Sequence, residues 1–386
     1  MTFWIQHGYG KGDKVSRLVD TGLVTGGVIL SPGDEERGAL SSTVQGLGDR
    51  SVRVLVDPQF YVHSIQGGQA RCHESNGLDF GEVSWFVSPR EMEQHVDAVL
   101  ELSRSLGLTE HIAPAPYLAS FNDVWAPISL QYSRAFVDAA DAEEAFVSVV
   151  AEDAAFGDWD ATAQWLDALT TLDCHGVYLL IGHRGRTYPF PWESDRLANV
   201  LRVIYALGEL NEYEVVWGYA DIAGLAGLAA GAGGIATGWY HSLRLWTPQK
   251  WIPQTGGRQA NPRVFLSPLL SPLEAVGEAT SAARSALGPE VFSDGALLRR
   301  FRQGDPAWGV TDAWYQHMEA LASAATAVNG EDAVQDRVAV VDELLVGADT
   351  LLTRLDAAGV AVSPTHHTRI NALRRGLAVF VDQERL

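Results

Sequence analysis

Four acidic side chains lie where an apolar run of the sequence ends. Asp57 follows the run VRVLV, Glu152 and Asp153 follow the run FVSVVA, and Asp221 follows VVWGYA. Carboxylates in such places can act as general acids or bases, and two of them across one pocket are the arrangement that cleaves glycosidic bonds. We therefore predict that Asp57, Glu152, Asp153 and Asp221 are catalytic. A strand sends adjacent side chains to opposite faces, so only one of Glu152 and Asp153 is expected to face the pocket unless the strand has already ended. For Asp57 the alternative is a structural role as a cap or ion-pair partner.

Other polar and aromatic side chains follow the same runs and are candidates for binding a substrate. They are Gln6, His7, Gln59, Tyr61, His183, Arg184, Tyr219, Trp239, Tyr240 and His241. Arg244 and Lys250 are candidates for binding phosphate. The Gly-rich segment GAGGIATG enters a strand instead of leaving one, so it serves either a phosphate site or close helix packing. The histidines form no HxH or HExxH pair, and we predict neither a metal nor a cofactor.

Eight short apolar runs alternate with helical patterns and would place these side chains. The runs cover residues 3–7, 27–31, 52–57, 112–117, 146–153, 177–183, 214–221 and 234–241. Strands buried on both faces and separated by helices are typical of parallel βα units, and eight of them predict an α/β fold, a closed (β/α)8 barrel of the TIM type. Barrels of this type carry their chemistry at the carboxyl ends of the strands.

The chain is longer than a bare barrel. It has 386 residues, whereas a barrel needs roughly 250. We predict that residues 1–289 form the barrel, including a Pro-rich basic loop at 247–273, and that residues 290–386 form a helical appendage packed on it. The helical patterns between the runs cover 13–22, 35–46, 88–106, 138–145, 160–172 and 194–211, and those of the appendage cover 312–328, 331–358 and 365–384. The long loop at 61–87 is expected to be a lid or a substrate wall.

Charge is unevenly distributed along the chain. The net charge is −20, yet no Asp or Glu occurs between Ile222 and Leu273, where Arg244, Lys250, Arg258 and Arg263 lie among tryptophans. Basic groups interleaved with aromatics suit phosphates and stacked bases, so we predict a nucleic-acid partner, DNA or RNA, contacting residues 239–263. The alternative is a buried helix and strand followed by a Trp-rich loop. Two cysteines and the lack of a signal or membrane-spanning pattern predict a cytoplasmic protein without a membrane partner.

The last two units resemble a known superfamily. The segment VVWGYADIAGLAGLAAGAGGIATGWYHSLR is similar in layout to the end of the barrel in the tRNA-guanine transglycosylase superfamily, and VLVDPQFYV is similar to its third-strand motif. The resemblance implies that Asp57 contacts a base or transfers a proton, that Glu152 or Asp153 recognises the base and that Arg244 contacts nucleic acid. Two features depart from the family: residues 233–238 lack its nucleophilic Asp, and its Cys-rich zinc site is missing.

These observations lead to one hypothesis with two alternatives. The chain is predicted to be a barrel enzyme that cleaves an N-glycosidic bond, as a glycosylase acting on a base of DNA or RNA, and the resemblance implies a role in phage defence. The first alternative is a hydrolase or lyase that acts on a free carbohydrate or a sugar phosphate. The second is a non-catalytic barrel subunit that binds a ligand.

Overall fold

Eight parallel strands form a nearly closed barrel, and this confirms the predicted fold class. The computed structural model describes residues 2–50, 52–81, 88–141, 144–185, 187–253, 261–292 and 295–386. The strands are β1 (Phe3–Gln6), β2 (Gly27–Leu30), β3 (Arg53–Val56), β4 (His111–Ile112), β5 (Ala145–Glu152), β6 (Gly176–Gly182), β7 (Glu214–Gly218) and β8 (Gly234–Thr237). Nearly all of their side chains are buried, which explains the continuous apolar runs in the sequence.

The hydrogen-bonded order of the strands is β3-β2-β1-β8-β7-β6-β5-β4. The edge strands β3 and β4 contact each other and so bring the barrel close to closure. The predicted fourth strand at 112–117 is too long, because Pro114 and Pro116 have no N–H to donate to a ladder. Beyond these prolines the chain returns to the sheet at Leu118, which bridges to Ala151 of β5.

Helices follow the strands around the outside of the barrel. They are α1 (Lys14–Asp20), α2 (Arg37–Leu47), α3 (His73–Asn76), α4 (Pro89–Ser105), α5 (Trp125–Ala139), α6 (Trp159–Leu169), α7 (Ser194–Tyr205) and α8 (Ala223–Ala229). The helix predicted at 138–145 is wrong, because α5 ends at Ala139 and β5 begins at Ala145. The true helix starts thirteen residues earlier, with Pro127 in its first turn, where a missing N–H costs little.

The chain after β8 adds a two-stranded hairpin and further helices. The hairpin pairs β9 (Arg263–Leu266) with β10 (Ser271–Glu274) in antiparallel fashion. The helices are α9 (Thr280–Arg284), α10 (Gly288–Val291), α11 (Ala296–Arg302), α12 (Val310–Val328), α13 (Val334–Ala357) and α14 (Pro364–Glu384). Helix α14 packs on α7, and α12 packs on β9 and α8. The last three helices lie close to their predicted positions, whereas the domain boundary at 289/290 stays a prediction.

An ion-pair cluster fills the amino-terminal end of the barrel. The Arg53 guanidinium donates to Glu110 Oε2 at 2.9 Å and to Glu214 Oε1 at 2.7 Å. His175 Nε2 lies 3.0 Å from Glu214 Oε2, and Arg53 also packs over the Trp4 ring. Since this end is occupied by paired charges and Trp4, the carboxyl end is the one left to carry a site. Among the described helices, none is both long enough and apolar enough to cross a membrane.

Candidate functional site

Asp57 lies in the barrel mouth within a buried cluster of hydroxyl groups. Its Oδ2 accepts hydrogen bonds from Tyr61 at 2.9 Å and Tyr178 at 3.3 Å, and its Oδ1 accepts from the Gln59 N–H at 3.0 Å. Tyr178 also donates to Gln6 Oε1 at 3.1 Å. Asp57 is 1% exposed, and burial raises its pKa to about 6 although these donors oppose the rise. Asp57 is therefore ready to exchange a proton near neutral pH.

Lys250 reaches into the same mouth from the segment after β8. Its Nζ lies 3.5 Å from Asp34 Oδ2 and 3.4 Å from the Tyr219 hydroxyl, and it lies over the Trp251 ring. Burial lowers the pKa of Lys250, but Asp34 and Tyr219 outweigh burial and the net pKa is raised. Lys250 is thus a buried ammonium with a carboxylate partner, which is a setting that differs from an exposed phosphate contact.

Aromatic rings cover the mouth above Asp57. Tyr61 meets Trp246 edge to face, with ring centres 5.2 Å apart, and meets Trp251 at 6.0 Å. Trp246 also lies 5.2 Å from Tyr117, and Gly182 leaves room for both rings, because a Cβ there would lie 2.6 Å from Trp246. The predicted base-stacking residue Tyr61 is therefore packed against protein rings.

The adjacent acids Glu152 and Asp153 have different partners. Glu152 ends β5 and pairs with Arg184, whose side chain is largely exposed. Asp153 begins the short 3-10 turn Asp153–Gly157, where its carboxylate lies 3.8 Å from His183 Nδ1 and 3.1 Å from Arg196 Nη1. The strand ends between the two acids, so both are buried at the rim instead of one facing outward. Burial lowers the pKa of His183 more than Asp153 raises it, so His183 is neutral at neutral pH.

A small cavity, here called the rim cavity, lies beside His183 at the ends of β6 and β7. Its volume is about 30 Å³, room for about two water molecules. Its polar lining is made by His183, Tyr188, Asp221, Arg244 and Arg369. The segment 188–190 forms its half-exposed outer wall. The cavity therefore brings two cationic groups, a carboxylate and an imidazole to one place.

Asp221 is the carboxylate at the centre of this group. Its Oδ2 accepts from the Tyr188 hydroxyl at 2.7 Å, and its Oδ1 lies 2.7 Å from His317 Nε2. Burial lowers the pKa of His317 to about 4, with Arg244 adding to the effect, so His317 is neutral. Burial raises the pKa of Asp221, but His317, Arg244 and Tyr188 outweigh burial and hold that pKa below its usual range. Asp221 therefore carries a full negative charge at neutral pH.

Backbone strain marks the same rim. Gln59, Tyr219 and Asp221 have φ angles of 55°, 55° and 40°, although none is glycine. Side chains with a Cβ rarely adopt this left-handed region, at a cost of about 1–3 kcal/mol each, and such residues cluster at functional sites. All three follow the barrel strands β3 and β7, where the polar clusters lie.

The other predicted site residues serve mainly as internal contacts. Gln59 accepts from the Gly33 N–H at 2.7 Å, and His7 Nδ1 accepts from the Ser31 N–H at 3.2 Å. Arg244 donates to the backbone oxygens of Gly238 and Trp239 at 2.7 and 3.0 Å. Trp239 is buried, Tyr240 packs on Trp314 and His241 stacks on Tyr188. Residues 254–260 of the predicted nucleic-acid surface, Arg258 among them, lie outside the described residues, and so do residues 82–87 of the predicted lid. Both the nucleic-acid contact and the lid stay predictions.

Several residues of the clusters were not predicted, among them Tyr178, Tyr188, His317 and Arg369. Tyr178 lies inside an apolar run, and Tyr188 lies in the loop after β6. His317 and Arg369 lie on helices α12 and α14 of the C-terminal part. Only a weak feature of the sequence indicated the two helical residues. Burying a His or Arg on the apolar face of a helix is energetically unfavourable, so a residue in such a place is expected to have a partner.

Comparisons with known proteins found similar solved structures but no related sequence. No family model and no curated protein matches the sequence. Among solved structures, the chain is similar to a dihydrodipicolinate synthase from Oceanobacillus iheyensis, with 12% identity, 98% of this chain and 96% of that chain covered and a TM-score of 0.34. It is also similar to a dihydrodipicolinate synthase from Bacillus clausii, with 15% identity, 100% and 98% covered and a TM-score of 0.36.

The predicted cleavage of an N-glycosidic bond in nucleic acid is wrong. Tyr61 and Trp239, which were predicted to stack on a base, are buried within the protein. No family model matches the sequence, so membership of the transglycosylase superfamily is not shown either. What remains of the resemblance is its coarser part, the (β/α)8 barrel.

Proposed function

We propose that the chain is an enzyme that acts on a small, negatively charged, carbohydrate-like molecule whose acidic group enters the rim cavity. The reaction class is that of a lyase, in which a proton is removed from carbon and a leaving group is expelled, with hydrolysis as the second candidate. This is the alternative that the sequence left open beside base cleavage. One observation carries the proposal: His183 and Asp221, both in their basic forms, face a cavity that Arg244 and Arg369 also line.

A proton acceptor in such a site must be unprotonated and held in position. His183 meets both conditions, because burial lowers its pKa and its ring packs against Phe190 and Trp192, with ring centres 3.6 and 4.8 Å away. Asp221 is held by Tyr188 and His317. A positioned base of this kind contributes about 10²–10⁴-fold to a rate. The chemistry that the geometry favours is therefore general base catalysis.

Arg244 and Arg369 would stabilise the negative charge that forms when the proton is removed. Removing a proton next to an acidic or carbonyl group places negative charge on oxygen. Preorganised cationic donors in a site shielded from water stabilise such charge strongly. Arg244 is fixed by its bonds to two backbone oxygens, so it need not reorganise when charge develops. Two bases and two guanidinium groups around one cavity match an elimination better than a hydrolysis, which also needs a positioned water.

The test is a substrate panel read by mass spectrometry. We would incubate the protein with small sugar acids, hydroxy acids, sugar phosphates and neutral sugars, and look for loss of water or cleavage of the carbon chain. For a substrate that reacts, His183→Asn and Asp221→Asn are each expected to lower kcat by at least about 10²-fold. The matched control is His367→Asn, because His367 pairs with Asp349 and Asp356 away from the cavity; it should stay within about twofold of the unsubstituted protein.

Two results would count against the proposal. The first is that no compound of the panel changes mass, and the second is that both substituted proteins turn over a substrate at the original rate. The pH profile adds a third check: kcat/KM should be flat near neutral pH and fall on the acid side, since both bases have lowered pKa values and lose function when protonated.

A further inference from the structure

We propose that Arg369, together with Arg244, binds a carboxylate group of the substrate in the rim cavity, so that the substrate is a small carboxylic acid. That the bound carboxylic acid is a substrate rests on the proposed function, but binding at this site can be tested without turnover. Arg369 comes from α14, far from the barrel in sequence, and it is 3% exposed.

Only part of the Arg369 guanidinium is used by the protein. Its Nη2 donates to the Leu270 backbone oxygen and to Ser271 Oγ, the latter at 2.7 Å. Within the described part of the chain, its Nε and Nη1 have no hydrogen-bond partner, although both atoms are buried. Buried donors without partners are costly, and those on a cation more so. Because Arg369 lines the rim cavity, these two donors point to a ligand there.

The charges around the cavity give an independent argument. Two guanidinium groups, those of Arg244 and Arg369, face the single negative charge of Asp221, and His317 and His241 are both neutral because burial lowers their pKa values to about 4 and about 3. An excess positive charge in a buried place is strongly unfavourable unless an anion neutralises it. A bound anion of charge −1 would restore the balance.

Shape and size select the kind of anion. A guanidinium presents donors in a flat fork that matches a carboxylate in two parallel hydrogen bonds. The cavity is small, and a phosphate is bulkier than a carboxylate and carries more charge than the single excess cation balances. A substrate carboxylate held here would lie beside the bases Asp221 and His183, so the carbon next to it is the one from which a proton would be taken.

The experiment measures the melting temperature of the full chain in acetate, glycolate, phosphate and chloride at equal ionic strength. A ligand that binds only the folded state raises Tm in a saturable way. We expect acetate and glycolate to do so, and Arg369→Met to raise the half-saturating concentration at least about tenfold, which is the loss of one charge-assisted contact. Arg375→Met is the matched control, since Arg375 is an exposed residue of the same helix; its response should equal that of the unsubstituted chain.

Arg369→Lys provides a second variant if the methionine substitution prevents folding. Lysine keeps the charge and loses the fork, so it should bind acetate more weakly than arginine does but still respond to it. The proposal is overturned if phosphate acts at lower concentration than acetate, if no anion exceeds chloride, or if Arg369→Met responds like the control. Carboxylate binding without turnover of any compound would uphold this inference and count against the proposed function. Turnover of sugar phosphates that Arg369→Met leaves unchanged would uphold the proposed function and count against this inference.

Discussion

Replacing Asp57 with asparagine should make the protein more resistant to a rise in pH. Burial raises the pKa of Asp57 to about 6 from its ordinary value of 3.8. Between these two values the folded state binds more protons than the unfolded state, so the stability of the folded state falls as pH rises through this window and stays low above it. At about 1.4 kcal/mol per pH unit, the ionised carboxylate costs about 3 kcal/mol at neutral pH.

The asparagine variant removes that pH dependence while keeping most contacts. An amide oxygen can accept from the Gln59 N–H, and an amide NH2 can donate to the Tyr61 or Tyr178 hydroxyl, both of which now donate to Asp57. The stability of D57N relative to the parent should therefore rise by about 2.4 kcal/mol between pH 4 and pH 8, because the unfolded carboxyl is already half ionised at pH 4. For a chain of 386 residues, an unfolding entropy of about 2.1 cal/mol/K per residue converts this to a shift in Tm of about 3 °C.

The assay is thermal unfolding of both proteins, followed by circular dichroism at pH values from 4 to 8. Asp20→Asn is the control for loss of a carboxylate, because Asp20 is exposed and its hydrogen bond from Arg50 lowers its pKa. Its effect should have the opposite sign, since a carboxylate with a lowered pKa stabilises the fold above its ordinary pKa and loses this effect as pH falls. A difference between D57N and the parent that stays constant over the whole pH range would refute the reasoning on Asp57.

Three further substitutions test the packing that supports the site, each by chemical denaturation at pH 7.5. Arg53→Met leaves Glu110 and Glu214 without their shared cation and should cost about 2 kcal/mol, less than the 3–5 of a fully buried pair because these side chains are about a fifth exposed; an unchanged midpoint would contradict this. Gly234→Ala should cost about 1–3 kcal/mol, because the new Cβ would lie 2.4 Å from Trp4 Nε1; a neutral result would show that Trp4 can move. The Asp158 side chain caps α6 by accepting from the Ala161 N–H at 3.1 Å. Asp158→Ala removes this cap and should lower the free energy of unfolding by about 1 kcal/mol; a gain in stability would contradict the capping role.

The barrel could be predicted from the sequence because its signal is repeated. Strands buried on both faces require continuous apolar runs, and eight of them leave few alternative architectures. The errors in the predicted strands and helices occurred where a proline was more important than the pattern of apolar residues. Pro114 and Pro116 cut short the fourth strand, and the helix α5 was missed because its early proline reads as a loop signal when it is in fact tolerated in the first turn.

The site could be predicted only in part, because strand ends converge by topology while side-chain partners do not appear in local sequence. Asp57, Glu152, Asp153 and Asp221 all lie buried at the carboxyl rim, as their positions after apolar runs indicated. Their partners come from distant segments: Tyr178 from within β6, and His317 from α12. Nothing in the spacing of a sequence links Asp221 to a histidine that follows it by 96 residues.

The rim cavity depends on the docking of the C-terminal helices for its charges. Asp221 has a strained backbone at φ 40°, and its side chain is held by His317 of α12 and by Tyr188. Arg369 of α14 forms another part of the wall. If these helices were to separate from the barrel, Asp221 would lose one hydrogen-bond partner and the cavity would lose one of its two cations. The docked helices thus supply both a partner that holds the strained residue and a cation of the cavity, so stability of the docked helices and affinity for a carboxylate should rise and fall together.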